Sequence, residues 1–172
     1  MKPLILAATA AAALAGCSTQ GRSDPNEVSA ALRDGNGQTI GYSIARGVGG
    51  INVQVRATGL PAGTYAVHVH SVGRCNPPGF ESAGPHWNPT ARQHGTENPQ
   101  GSHFGDLPNL TVDAQGNGAV DFTIAGGSMR RGEHVMMDAD GAAIVVHANP
   151  DDYRTDPSGN SGGRIACGVY SS

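Results

Sequence analysis

Six of the seven histidines in this 172-residue chain fall at spacings that suit metal binding. His68 and His70 stand two apart in Ala66-Val67-His68-Val69-His70. His86, His94 and His103 follow in a stretch rich in Gly, Pro and Asn, with Asp106 three residues after His103. His147 closes the distant apolar run Ile144-Val145-Val146. Imidazole suits copper and zinc, and one carboxylate among imidazoles makes a zinc shell. The series has enough donors for two ions that share one ligand. Taken singly the pieces have plainer readings: an H-x-H pair facing solvent, a structural histidine at a strand end.

These donors need elements to hold them, and the elements are strands. Long helical periodicity is absent. Short runs alternate polar and apolar residues between Gly, Pro, Asn and Asp. The candidates are Val28–Arg33, Gln38–Arg46, Ile51–Thr58, Thr64–His70, Leu110–Asp113, Ala119–Ile124, Val135–Met137, Ala142–Ala148 and Arg164–Tyr170. Asp34-Gly35-Asn36-Gly37, Leu60-Pro61-Ala62-Gly63, Gln115-Gly116-Asn117-Gly118 and Asp138-Ala139-Asp140-Gly141 are turn signals. The 26 glycines support many turns and little helix. Short strands joined by tight turns predict an all-β antiparallel sandwich or barrel. On a strand, positions i and i+2 share a face, so His68 and His70 project together while Val67 and Val69 face a core. Ser71 to about Pro108 and Asn149–Gly163 break the rhythm as long loops, which in a compact domain are functional or disordered. The first holds four candidate ligands and a cysteine, which argues for order maintained by metal and disulfide.

The N-terminus reads as an address. Lys2, the apolar run Leu4–Leu14 and Leu14-Ala15-Gly16-Cys17 form a bacterial lipobox, too short to span a bilayer; an ordinary secretory signal with a chance cysteine is the alternative. Residues 1–16 would be removed, Cys17 would carry lipid, and 17–26 would be a flexible tether to a domain at 27–172. Ser18 leans toward outer-membrane sorting, on the periplasmic side of a Gram-negative envelope. With Cys17 so used, Cys75 and Cys167 are left as a pair in an oxidising compartment, where a disulfide is the default. Lys2 is the only lysine, so without it 10 arginines oppose 14 acids, a net charge of −4. That balance makes a poor nucleic-acid binder. An anionic substrate would need a locally positive site, built from individual arginines.

Read in order, the H-V-H pair, Gly84-Pro85-His86-Trp87-Asn88-Pro89, His94, His103, Gly105-Asp106-Leu107, the V-V-H run and the terminal Arg164-Ile165-Ala166-Cys167-Gly168-Val169 resemble the copper-zinc superoxide dismutase family. The resemblance covers the whole mature domain. It implies an eight-stranded Greek-key barrel or sandwich, immunoglobulin-like, with two long functional loops. It implies one copper on His68, His70, His86 and His147, and one zinc on His86, His94, His103 and Asp106. His86 would then be an imidazolate bridging both metals, which two nearby cations make feasible. Zinc, with four ligands, would be closed and structural. Asp151 matches the family's aspartate that hydrogen-bonds one histidine of each metal, and Arg164 the arginine that draws in a small anion, superoxide. Catalysis would rest on His86 and Arg164. A lipid-anchored copper or zinc buffer on the same scaffold is the rival reading; it has no use for Arg164. His134 reads as a surface histidine, and Trp87, Met136 and Met137 as packing.

The chain departs from the family at three points. Ser71 stands where many members have an acid, only four residues separate His70 from Cys75, and the His147–Arg164 loop is short. That loop lacks the lysine and glutamates that eukaryotic relatives use to steer substrate; Asp151, Asp152, Arg154 and Asp156 are the charges that remain. The family implies a homodimer without fixing its face, since eukaryotic and bacterial members pair differently, so the oligomeric state stays open.

Overall fold

The computed structural model describes residues 24–171. Cys17, the signal at 1–16 and most of the tether lie outside the described residues. Asp24–Asn26 already bond to the domain: the Asn26 carbonyl accepts from the Gly47 amide at 2.9 Å, and Arg130 Nε donates to the Pro25 carbonyl at 3.0 Å.

Alternation dictates the strands. β1 (Glu27–Asp34), β2 (Thr39–Gly47) and β3 (Ile51–Ala57) form a meander. Val28, Ala30 and Leu32 of β1, and Ile51, Val53, Val55 and Ala57 of β3, point inward. Then come β4 (Gly63–Tyr65), β5 (Val67–His70), β6 (Leu110–Val112), β7 (Gly118–Ile124), β8 (Ala143–His147) and β9 (Arg164–Val169). The only helix among the described residues is a single 3₁₀ turn, Glu81–Ala83. Every strand pairing is antiparallel, in the order β4-β6-β7-β3-β2-β1-β9-β8-β5. The β3–β4 and β7–β8 connections skip over neighbours in Greek-key fashion.

The described residues hold nine strands where eight were expected. The run Thr64–His70 is not one strand: it divides at Ala66. β4 pairs with β6 and β5 with β8, at opposite ends of the sheet order. The Ala66 amide donates to Asn149 O and its carbonyl accepts from the His147 amide, both at 2.9 Å. The sheet therefore curls until its two end strands are consecutive in the chain, and a nearly closed barrel results. Val135–Met137 is not a strand either. Turn residues on both sides leave it too short to form a ladder; Val135 makes one isolated bridge to Ser128, and Met136 drops into the core.

Most strands bury one face, but β5 and β8 are buried on both. Val67, Val69, Ile144 and Val146 belong to the barrel core. Ala143 and Val145 point outward and meet Phe80, Ala83 and Cys167 in a second, smaller cluster. The 71–109 loop is thus packed onto the outer face of the sheet. Its backbone re-enters the ladder beside β5 through bridges His70↔His86 and His68↔Asp106. The approach is close: a Cβ on Gly105 would lie 2.2 Å from the Val69 carbonyl oxygen. Cys75 and Cys167 form the expected disulfide, Cα–Cα 5.7 Å, pinning the loop to β9.

Closing a loop of about 90 residues restricts the unfolded chain by about 4–5 kcal/mol. Cys75→Ser is therefore expected to lower the calorimetric unfolding midpoint of the metal-free protein. An unchanged midpoint would show that packing of Phe80 and Ala83 alone holds the loop.

Candidate metal centre

β5 delivers His68 and His70 to its outer face, where the two bridges set Asp106 beside His68 and His86 beside His70. The end of β8 supplies His147. A bulge between Val146 and His147 skips a residue of β9, so that His147 pairs directly with Arg164. Such bulges re-aim side chains. All six histidines and Asp106 are 8 % exposed or less, and His68, His70 and His94 are fully buried.

Two donor sets result. In the first, Asp106 Oδ1 lies 2.9 Å from His86 Nδ1, 3.0 Å from His94 Nδ1 and 3.1 Å from His103 Nδ1, and His86 Nδ1 is 3.2 Å from His103 Nδ1. Three imidazole nitrogens crowded onto one carboxylate oxygen is poor hydrogen-bond geometry. Ligands ~2.0–2.1 Å from a tetrahedral ion lie ~3.3–3.4 Å apart, so the crowding matches the edges of a cation site. Asp106 Oδ2 is occupied by the Gly95 and His103 amides, each at 3.0 Å, which aims Oδ1 at the centre. His68 also brings a ring nitrogen within 4.8 Å of His86, His94 and Asp106. His103 fits better, because His68 Nε2 is already bonded to Asp151.

The second set is His68, His70, His86 and His147, with one ring nitrogen of each within 4.8 Å of the others. Here His68 Nδ1, His70 Nε2 and His147 Nε2 are buried without any hydrogen-bond partner. Their opposite nitrogens are held. His68 Nε2 meets Asp151 Oδ2 at 2.8 Å, His70 Nδ1 donates to the Gly84 carbonyl at 2.8 Å, and His147 Nδ1 lies 3.1 Å from Ser161 Oγ. A buried polar atom left unpaired costs about 1–3 kcal/mol. Three of them converging on one point form a cation socket, and the bonds behind them fix tautomer and orientation.

The electrostatics of the socket agree. Burial, reinforced by neighbouring imidazoles, lowers His70 well below the usual range and His147 to about 3. Burial also takes His86 to about 4, against the pull of Asp106. Neutral rings with free lone pairs are what a metal requires. Burial would raise Asp106 and Asp151, yet their histidine partners hold both well below the carboxylate range. Burial would lower His94, but bonds to both of these carboxylates lift it to about 9.

Asp151 ties the sets together. Its Oδ2 meets His68 and its Oδ1 meets His94 Nε2 at 2.9 Å. Two residues that sequence reading passed over hold it there. Asn109 clamps the Asp151 backbone, its Oδ1 accepting from the amide at 2.8 Å and its Nδ2 donating to the carbonyl at 3.0 Å. Gly159, at φ 64°, covers the carboxylate: a Cβ there would lie 1.9 Å from Asp151 Oδ1 and 2.7 Å from His94 Nε2. Asn109 has no local sequence signal, because it reaches Asp151 from a distant segment, and Gly159 has none because its role depends on His94, far off in the chain.

Arg164 is half-buried, donating from Nη1 to Phe80 O and from Nη2 to Gly84 O, each at 2.8 Å. Burial lowers its pKa and Glu81 raises it; an arginine stays charged through shifts of this kind. It lines a cleft of about 1020 Å³ together with His70, His86 and His147. His134 is more than a surface histidine: it is half-buried and packs on Phe104 at 4.9 Å between ring centroids, and Phe104 packs in turn on Trp87 at 5.3 Å. It takes no part in either donor set.

An antiparallel barrel carrying two adjoining imidazole-rich donor sets under a shared cleft defines a class of metalloprotein. The comparisons narrow that class. The family described as copper/zinc superoxide dismutase (SODC) matches residues 40–170. The chain is 43 % identical over 122 residues to superoxide dismutase [Cu-Zn] 2 of Aquifex aeolicus (strain VF5), covering 70 % of this chain and 71 % of that protein. It is 38 % identical over 144 residues to superoxide dismutase [Cu-Zn] of Caulobacter vibrioides, covering 81 % and 83 %. Among solved structures, a SOD-like protein from Bacillus subtilis superposes with a TM-score of 0.77 at 38 % identity, covering 82 % of this chain and 96 % of that one. The chain belongs to the copper/zinc superoxide dismutase family. Copper and zinc, the metals of that family, are those that nitrogen-rich donor sets favour.

Gly159→Ala is expected to push Asp151 off His94 and His68 and to weaken zinc binding by about 10- to 100-fold. Competition with a chromophoric chelator measures this, with circular dichroism confirming the fold. Unaltered affinity would show that Asp151 does not need its present position.

Proposed function

We propose that the protein disproportionates superoxide, two anions and two protons giving dioxygen and hydrogen peroxide. Family membership alone does not carry this, since one relative from Bacillus subtilis is named only superoxide dismutase-like. What carries it is completeness: three unpartnered nitrogens of His68, His70 and His147 form one socket, and His86 joins it to the set of His94, His103 and Asp106. Copper in the socket would supply one-electron chemistry, and zinc in the Asp106 set would close the loop around His86.

The chain's own residues do the remaining work. Arg164, fixed by two carbonyls on the cleft wall, orients a small anion beside His86 and His147. His86 Nδ1 belongs to the Asp106 set, which leaves Nε2 as the atom that can hold a proton and pass it to departing peroxide. Asp151 keeps His68 from rotating. A site built only to store metal has no need of a cation in its cleft.

Pulse radiolysis of metal-loaded protein tests the reading. Wild type is expected to turn over near the diffusion limit, Arg164→Ala to lose about tenfold or more in kcat/KM, and His86→Ala to lose most of the copper-dependent rate, all with a chelator present to remove unbound copper. Wild-type turnover no faster than that of the metal-free protein would overturn it.

We also infer that residues 1–16 are removed as a lipoprotein signal and that Cys17 is lipidated, with residues 17–26 as tether. The protein would then sit on the periplasmic side of the envelope, at the outer membrane. Leu14-Ala15-Gly16-Cys17 supports this, and the Cys75–Cys167 disulfide suits an oxidising compartment. Radiolabelled palmitate is expected to mark wild type and miss Cys17→Ser; equal labelling would refute the anchor.

A further inference from the structure

The 149–163 loop has no charge to spare for an incoming anion. Asp151 is spent on His68 and His94. Asp152 is tied into its own turn by Thr155 and Asn160. Arg154 pairs with Glu97, Nε to Oε2 at 2.7 Å. Asp156 accepts the His94 amide at 2.6 Å. Yet the chain is net negative, −3 over its full length, so its average field repels superoxide.

The cleft lining contains two cations, Arg164 and Arg92, and three acids, Glu81, Asp138 and Asp156. Arg92 is exposed, and its guanidinium makes no hydrogen bond or ion pair with any described residue. Its backbone, by contrast, is clamped. The Arg92 amide donates to Asn88 Oδ1 at 3.0 Å, and Asn88 Nδ2 donates to the Arg92 carbonyl at 2.8 Å, across a turn in which Ala91 takes φ 51°. Arg92 lies six residues past His86 and two before His94. A long, unspent cation on a fixed base at the rim of a cleft can reach for an anion at little cost. Arg92 also borders the adjoining groove of about 290 Å³ beside His103, so the residue is shared by both openings.

We propose that Arg92 is the outer anion-guiding residue of the cleft, capturing superoxide from solvent and handing it to the half-buried Arg164. The guidance then comes from the turn between His86 and His94, and not from the 149–163 loop. This rests on the dismutase reading.

The test is kcat/KM for superoxide by pulse radiolysis at ionic strengths from about 0.01 M to about 0.3 M. The proteins are wild type, Arg92→Lys, Arg92→Gln and Arg92→Glu, with Arg131→Glu as a control of equal net charge outside the cleft. Rates are taken per bound copper, so that metal loss does not enter. At low ionic strength the expected order is wild type, close to Arg92→Lys, above Arg92→Gln, above Arg92→Glu. The reversal should cost about three- to tenfold, and the spread should collapse at high salt. Arg131→Glu should follow wild type. Rates per copper that ignore the charge at position 92, a deficit that salt does not alter, or an equal deficit in Arg131→Glu would each overturn the proposal. A wild-type protein without turnover would instead overturn the dismutase reading itself.

Discussion

Burial of unspent lone pairs governs this molecule. Three imidazole nitrogens on the outer face of β5 and β8 are cut off from water and given no protein partner, and each must be compensated by a cation or bear its desolvation. Everything around them serves that constraint. The loop has to cover the face or the rings would be hydrated, and the disulfide and the Phe80 cluster keep it covered. Carbonyls and carboxylates hold the far sides of the rings so that the free nitrogens cannot turn away. The desolvation those lone pairs bear is what gives the socket its affinity for metal.

Asp151 gives the two donor sets a common mechanical reference. One carboxylate orients His68 on one side and His94 on the other, and its own backbone is clamped by Asn109 and roofed by Gly159. A displacement at either set is therefore transmitted to the other through a single rigid group. His86 is the more obvious link, but it is itself a donor to both sets, whereas Asp151 touches both without belonging to either.

How much of this could be read in advance depended on the range of the interaction. His68 and His70 were legible because a strand's two-residue period is local, and the six-histidine set because the family order of motifs is specific. The disulfide followed from having two cysteines left for an oxidising compartment. The break at Ala66 was not legible: an alternating run looks the same whether it keeps one partner or changes partners halfway. Val135–Met137 has the composition of a strand and lacks only a neighbour to pair with. The clamp of Asn109 on Asp151, the approach of Gly159 to His94 and the free state of Arg92 are statements about contacts across 40 residues or more, or about their absence, and no local pattern encodes them.

The change of partners at Ala66 bears on how copies of this chain can associate. A sheet with open ends invites another chain to continue its ladder. Here the terminal strands of the sheet are consecutive in the chain, the outer side of β5 is occupied by the bridges at His86 and Asp106, and among the described strands the three-residue β4 is the end left without a partner on one side. Three residues are too few to template a lasting strand addition. For the described residues, two copies would therefore meet through side-chain surfaces of finished barrels more readily than by extending a common sheet.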